Sequence, residues 1–161
     1  MSLEKNRENI GKSLGRIPSG IGILTTQKGL KKAAMLSSFF QQVSFEPPLI
    51  SVAIKKGRPI GELIKSSKKF VVNLLHTGQK DMLAHFGKGF EADEDPFVGI
   101  KVEIFKTGIP VLKEALCFLE CELRYIYEAG DHSLYLGEVL HAGMEEEGQS
   151  MVHLRRNGFN Y

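Results

Sequence analysis

The chain has 161 residues, 42% of them hydrophobic and 25% charged, with a formal net charge of +2. That length suits one compact domain over residues 1–161, and the ordinary globular composition excludes a disordered chain. The basic residues are scattered as Lys31-Lys32, Lys55-Lys56, Lys68-Lys69 and Arg155-Arg156 rather than gathered on one face, so no nucleic-acid partner is expected.

The first residues carry Glu4, Lys5, Arg7 and Glu8 in place of the apolar run of a signal peptide. No stretch approaches the ~18 apolar residues of a spanning helix, so the expectation is a cytoplasmic protein with no membrane partner. Leu3, Ile10, Leu14 and Ile17 fall on one side of a helix predicted from Ser2 to Leu14, with Gly15 as its stop. Ile21 to Thr26 is rich in β-branched residues and ends at Gln27-Lys28-Gly29, a hairpin turn whose return strand runs from Lys32 to Phe39. After Glu46-Pro47-Pro48 comes a core-length apolar strand, Leu49 to Ile54, closed by Lys55-Lys56-Gly57. Pro59 suits the first turn of a helix carrying Ile60, Leu63 and Ile64 up to Lys65. Phe70 to Leu75 is the next strand, Gln79 to Phe86 a helix, and Glu91 to Asp95 an acidic loop. Long strands follow over Ala115 to Tyr127 and Ser133 to Ala142, then a turn at Glu145-Glu146-Glu147-Gly148, a strand from Met151 to Leu154, and a polar tail ending at Tyr161.

Short strands punctuated by Gly or Pro, with few helices and no one-for-one alternation, argue against a doubly wound parallel sheet. A closed or nearly closed antiparallel barrel with peripheral helices fits better, because closure removes exposed edges. Cys117 and Cys121 lie four residues apart on one strand, about 13 Å between Cα atoms, too far for a disulfide.

Three segments could carry chemistry. Ala33 to Pro48 mixes small, hydroxylic and aromatic residues where a plain core strand would alternate. A planar ligand with a polar edge would want that mixture, although an ordinary edge strand with two exposed serines has it too. Lys55-Lys56-Gly57-Arg58-Pro59 stands between a strand and a helix N-terminus, where a phosphate is well received and Arg58 adds a bidentate donor; a surface turn with lysines is the plainer reading. At Gly130-Asp131-His132-Ser133, Asp131 could fix the His132 tautomer, or merely cap the turn. Adjacent strand residues point to opposite faces, which argues against a direct Asp131–His132 pair.

His76, His85, His132, His141 and His153 show no metal-binding spacing, so no metal is expected. A nucleophile elbow, a phosphate loop and a Rossmann fingerprint are also missing, so any nicotinamide must bind without a Rossmann fold.

The three segments, in this order, resemble the flavin reductase-like family of FMN-binding split barrels. The likeness runs from about Gly15 to the C-terminus through Gly20 to Thr26, Ala34 to Phe39, Val43 to Leu49, Phe70 to Leu75, Gly108 to Leu112, Ala115 to Cys121 and Gly130-Asp131-His132. It is similar above all to the reductase module fused to diflavin proteins. The resemblance implies a mainly β fold, an antiparallel Greek-key split β-barrel with a few peripheral helices. It further implies an NAD(P)H-dependent flavin reductase acting as a homodimer, with NADH or NADPH as donor, FMN or FAD as acceptor, and an oxygenase or redox protein as partner. Ala34, Met35, Leu36, Ser37, Ser38, Phe39, Ser44 and Ala53 would hold the flavin, Lys55, Lys56, Gly57 and Arg58 its phosphate, and His132 would lie by the ring and the nicotinamide. The chain departs from the family where Gly57 and Pro59 replace hydroxylic residues, leaving Lys56 and Arg58 to act by charge. An FMN-bound electron carrier reduced by another protein, and a non-redox ligand-binding barrel, remain as alternatives.

Overall fold

A computed structural model of the chain describes residues 2–144 and 147–161. The first half runs α1 (Leu3–Gly15), β1 (Ser19–Gly20), β2 (Gly22–Lys28), β3 (Lys31–Ser37), β4 (Phe40–Ser44), β5 (Leu49–Lys55) and α2 (Pro59–Ser67). The second half runs β6 (Lys69–Leu74), α3 (Lys80–Gly87), β7 (Val102–Ile104), β8 (Pro110–Leu112), β9 (Cys117–Ala129), β10 (His132–Met144) and β11 (Val152–His153). The expected turn at Glu145-Glu146 lies outside the described residues.

Seven strands form one antiparallel sheet in the order β3-β2-β6-β9-β10-β5-β4. Its two edges, β3 and β4, are consecutive in the chain and joined only by Ser38-Phe39, so the rolled sheet is split between them. This is the mainly β split barrel that the resemblance implied, with three helices around it among the described residues. The predicted strand from Lys32 to Phe39 therefore ends earlier, at Ser37, and the chain resumes as a separate strand, β4.

Alternation along β6 shows how the core divides. Phe70 and Val72 face the barrel interior with Leu24, Val52, Ile54 and Cys121, and α2 adds Ile60 and Ile64 to that cluster. Val71 faces outward to Ile109, Val111 and Phe118, under the β7–β8 hairpin. Ile21, Ile23 and Ala34 pack against Met82 and Phe86 of α3. The hairpin is tied down by a fully buried carboxylate: Glu120 accepts from the Lys106 N–H at 3.3 Å, the Thr107 N–H at 2.8 Å and the Thr107 hydroxyl. Asn73, also fully buried, accepts from the Leu112 N–H at 2.9 Å and donates to the Ile23 carbonyl at 3.0 Å.

The helix α1 departs from the apolar-stripe pattern. Its buried residues are Gly11 and Gly15, while Leu3, Ile10 and Leu14 are exposed, as is Ile17 just beyond. The glycines let the C-terminal tail lie against the helix, with the Arg155 N–H bonded to the Gly15 carbonyl at 3.1 Å and the Gly158 N–H to the Gly11 carbonyl at 2.7 Å.

Candidate functional site

The split between β3 and β4 opens into a cleft of about 280 Å³, walled by Met35, Leu36, Ser37, Ser38 and Phe39. Ala53 and Lys55 of β5 line it from the neighbouring strand, Arg58 from the start of α2, and Tyr161 from the tail. Ser37 and Ser38 are 6% and 8% exposed, which removes the reading of an edge strand with two exposed serines. The Ser37 hydroxyl is buried with no hydrogen-bond partner. An unmatched buried hydroxyl costs about 1–3 kcal/mol, and this one belongs to a residue of the cleft wall. The strand β3 beside it is an edge of the sheet.

Lys55 and Arg58 mark the cationic end, and among the described residues neither forms an ion pair. No side chain caps the first turn of α2, but Pro59 has no N–H and the Gly61 N–H bonds the Arg58 carbonyl at 3.0 Å, so the helix offers an anion the positive end of its dipole rather than a set of free amides. Lys56 is turned to Glu128 at 2.6 Å, and that lysine holds the Glu128 carboxyl below the usual carboxylate range. Lys56, Gly57 and Ser44 do not line this cleft, and Ala34 lines the adjoining one of about 430 Å³.

The turns at Lys55 and Asp131 meet, since β5 pairs with β10 through Lys55 and His132 and the Lys56 N–H bonds to the Asp131 carbonyl at 3.0 Å. His132 lines an outer cleft of about 310 Å³, which shares Phe39, Lys55 and Tyr161 with the inner one. Its Nδ1 lies 2.8 Å from Asp131 Oδ1. The pair forms, against the sequence expectation, because Asp131 sits in the turn before β10 and escapes strand alternation. The bond from His132 holds the Asp131 carboxyl below the usual range. A carboxylate can only accept, so Nδ1 carries the proton and, in the neutral ring, Nε2 accepts the short hydrogen bond from the Tyr161 hydroxyl. Partial burial of that hydroxyl, then the Asp131 charge, raises the phenol above its ordinary pKa.

Phe39 is the common neighbour of this group. Its ring centroid lies 5.8 Å from His132 and 5.5 Å from Tyr161, and the Arg155 guanidinium sits 4.7 Å above it. Sequence reasoning missed Tyr161 and Arg155 because they lie in a tail read as merely polar. The only local signal was the mixture of basic and aromatic residues from Arg155 to Tyr161.

The seven-stranded sheet split between β3 and β4 defines the chain as a split barrel. More particularly, it belongs to the flavin reductase-like domain family, whose model matches residues 14–160. It is 39% identical over 155 residues to diflavin flavoprotein A 1 of Synechocystis sp., covering 95% of this chain but 27% of that protein. The chain thus spans about a quarter of the length of the curated relatives it matches. Among solved structures it is similar to the NADH:FAD oxidoreductase SgcE6 of Streptomyces globisporus, with a TM-score of 0.82 and 27% identity over 89% of this chain and 86% of that one. It is likewise similar to the flavin reductase PheA2, with a TM-score of 0.78 and 28% identity over 96% and 94% of the two chains. Among the described residues, no helix is long and apolar enough to cross a membrane.

Proposed function

We propose that the chain is an NAD(P)H-dependent flavin reductase, a homodimer that passes electrons to free flavin, an oxygenase or a redox protein. The observation that carries this reading is the unpartnered Ser37 hydroxyl in the wall of the split. A bound flavin supplies the hydride-accepting centre, and the protein's part is to orient and to exclude.

Ser37, Ser38 and the edge of β3 would hold the polar rim of the flavin, Met35 and Leu36 its apolar surface, and Arg58 with Lys55 its phosphate, all lining the one cleft. With the imidazole neutral, the Tyr161 proton goes to His132 Nε2 and the phenol oxygen presents a lone pair to the cleft, suited to the amide N–H of a carboxamide. His132, which lines only the outer cleft, thereby positions the nicotinamide through Tyr161 and Phe39. No side chain need act as a base.

A second reading rests on the relatives' greater length: the matched module is one part of diflavin proteins, whose other parts could reduce it. The test is a spectrum of the purified protein followed by anaerobic titration with NADH and NADPH. Rapid bleaching of the flavin band supports the reductase; bleaching only with a partner protein selects the electron carrier; a colourless protein that takes up no flavin overturns both. His132→Ala should raise the KM for the nicotinamide and leave the flavin Kd nearly unchanged.

A further inference from the structure

Besides Lys55, Arg58 and Tyr161, the inner cleft is lined by a further ionisable side chain, His153. Alternation around β11 leaves Val152 and Leu154 exposed and turns Met151 and His153 inward. Met151 packs with Ile21 and Phe86, and both of these line the cleft with His153. The backbone on either side is pinned, the Met151 N–H to the Leu75 carbonyl at 2.9 Å and the Arg155 N–H to the Gly15 carbonyl at 3.1 Å. Gly20 pairs with Val152 and Gly22 with Ser37, so Ile21 lies between the strand partners that bring His153 and Ser37 to the same wall. Resting on the flavin reading above, we propose that His153 is a further cofactor-contacting residue, donating an imidazole N–H, beside the Ser37 hydroxyl, to the N1–C2=O edge of the flavin.

Every other histidine is engaged. His76 meets the Thr77 carbonyl at 2.8 Å, His85 the Pro96 carbonyl at 2.8 Å, His132 both Asp131 and Tyr161, and His141 the rings of Phe105 and Phe118. Among the described residues the His153 imidazole, half-buried, has no hydrogen bond, ion pair or ring contact of its own. It therefore shares with Ser37 the condition of a polar group on the cleft wall without a protein partner. The charge of the wall has one sign: Lys55 and Arg58 line it, and among the described residues no carboxylate does. In hydride transfer a proton leaves nicotinamide C4 with its electron pair and bonds to flavin N5. The nicotinamide departs as a cation, and the reduced flavin holds the negative charge over N1 and the C2 oxygen. A donor aimed at those atoms holds the reduced flavin more strongly than the oxidised one. An imidazole carries an N–H in either protonation state, so His153 can supply that donor throughout.

The two-electron midpoint potential of the FMN-loaded protein tests this, with the Kd of oxidised FMN and melts of the flavin-free protein measured alongside. His153→Phe and His153→Leu remove the donor, and His153→Gln keeps an N–H. Relative to oxidised FMN, either donorless variant should hold reduced FMN about tenfold less tightly than wild type does, a fall of about 30 mV, the scale of one charge-assisted hydrogen bond. The Kd of oxidised FMN should change less, and His153→Gln should recover most of the potential. A donorless variant that melts like wild type and keeps its potential overturns the assignment. So does a potential that falls as far with glutamine as with phenylalanine, or a loss of both oxidation states in equal measure. A raised KM for NADH at an unchanged potential sets His153 against the nicotinamide and overturns it too. A wild type that takes up no flavin overturns the flavin reading and this assignment with it, whereas a flavin-loaded protein whose potential is indifferent to His153 overturns the assignment alone.

Discussion

Ser37 illustrates how one atom can serve opposite ends in the free and the bound protein. Its buried hydroxyl has no partner, so Ser37→Ala should leave the flavin-free protein as stable as before or stabler, by up to about 1–3 kcal/mol. The same change should weaken flavin binding, by about 5- to 30-fold if one neutral hydrogen bond and its desolvation are lost. Melting curves with and without flavin check both signs, and a variant with unaltered affinity would remove Ser37 from the site. Tyr161 gives a pH signature. Because its folded-state pKa is raised, the native protein keeps the phenol proton that the unfolded chain loses first. The contribution of the docked phenol is thus fully present below the unfolded value of about 10 and declines as pH rises from there through the folded value. Wild type should lose stability relative to Tyr161→Phe only in that alkaline window; parallel profiles for the two proteins would show that the hydroxyl is not held as described.

Among the elements, α1 and the tail are the pair whose contact reaches the site. A Cβ at Gly15 would stand 2.6 Å from the Arg155 carbonyl oxygen, a backbone atom, whereas one at Gly11 would meet the Asn157 side chain at 2.8 Å. Helix propensity alone favours alanine at both places by up to about 1 kcal/mol. At Gly15 the clash should win, costing about 1–3 kcal/mol and loosening the tail, while Gly11→Ala should be milder because Asn157 can swing away. Differential melting, with limited proteolysis after Arg155 as the readout of tail release, tests the ranking; equal stability of both variants would refute it. The strands β2, β5, β6, β9 and β10 were legible because their β-branched and apolar runs are buried on one or both faces. The strand β4 was not, since Gln41 and Gln42 lie on an exposed edge where burial imposes no pattern, and β7 and β8 are three residues each, too short for any period to show. Half of the site was legible for a related reason. Met35 to Phe39 are consecutive, so their odd composition could be seen together, whereas Tyr161 reaches His132 across 29 positions only because two glycines admit the tail.

At the scale of the whole molecule, the apolar stripe of α1 is left largely exposed, with only Leu14 meeting the tail, at Gly158, among the described residues. Leu3, Ile10, Leu14 and Ile17 are 90%, 44%, 39% and 59% exposed. The adjoining tail adds Phe159 at 43%, its ring 3.1 Å from where a Gly11 Cβ would be, and Arg7 of α1 sits 4.6 Å over that ring. An amphipathic helix usually buries its apolar face, and a contiguous exposed one marks an interaction surface. A second copy of the chain is the occupant that the proposed homodimer supplies, and the tail under this patch is the one that carries Tyr161 into the cleft. Dimerisation and ligand binding should therefore be coupled. Ile10→Lys with Leu14→Lys should convert a dimer to a monomer in sedimentation velocity and raise the nicotinamide KM several-fold, because the tail loses its cover. Phe45→Lys, at an exposed apolar residue beyond β4 and 88% exposed, should leave both unchanged. A wild-type monomer, or a double variant that sediments as a dimer, would rule out this face; a monomeric variant with an unchanged KM would keep the interface and break its link to the site.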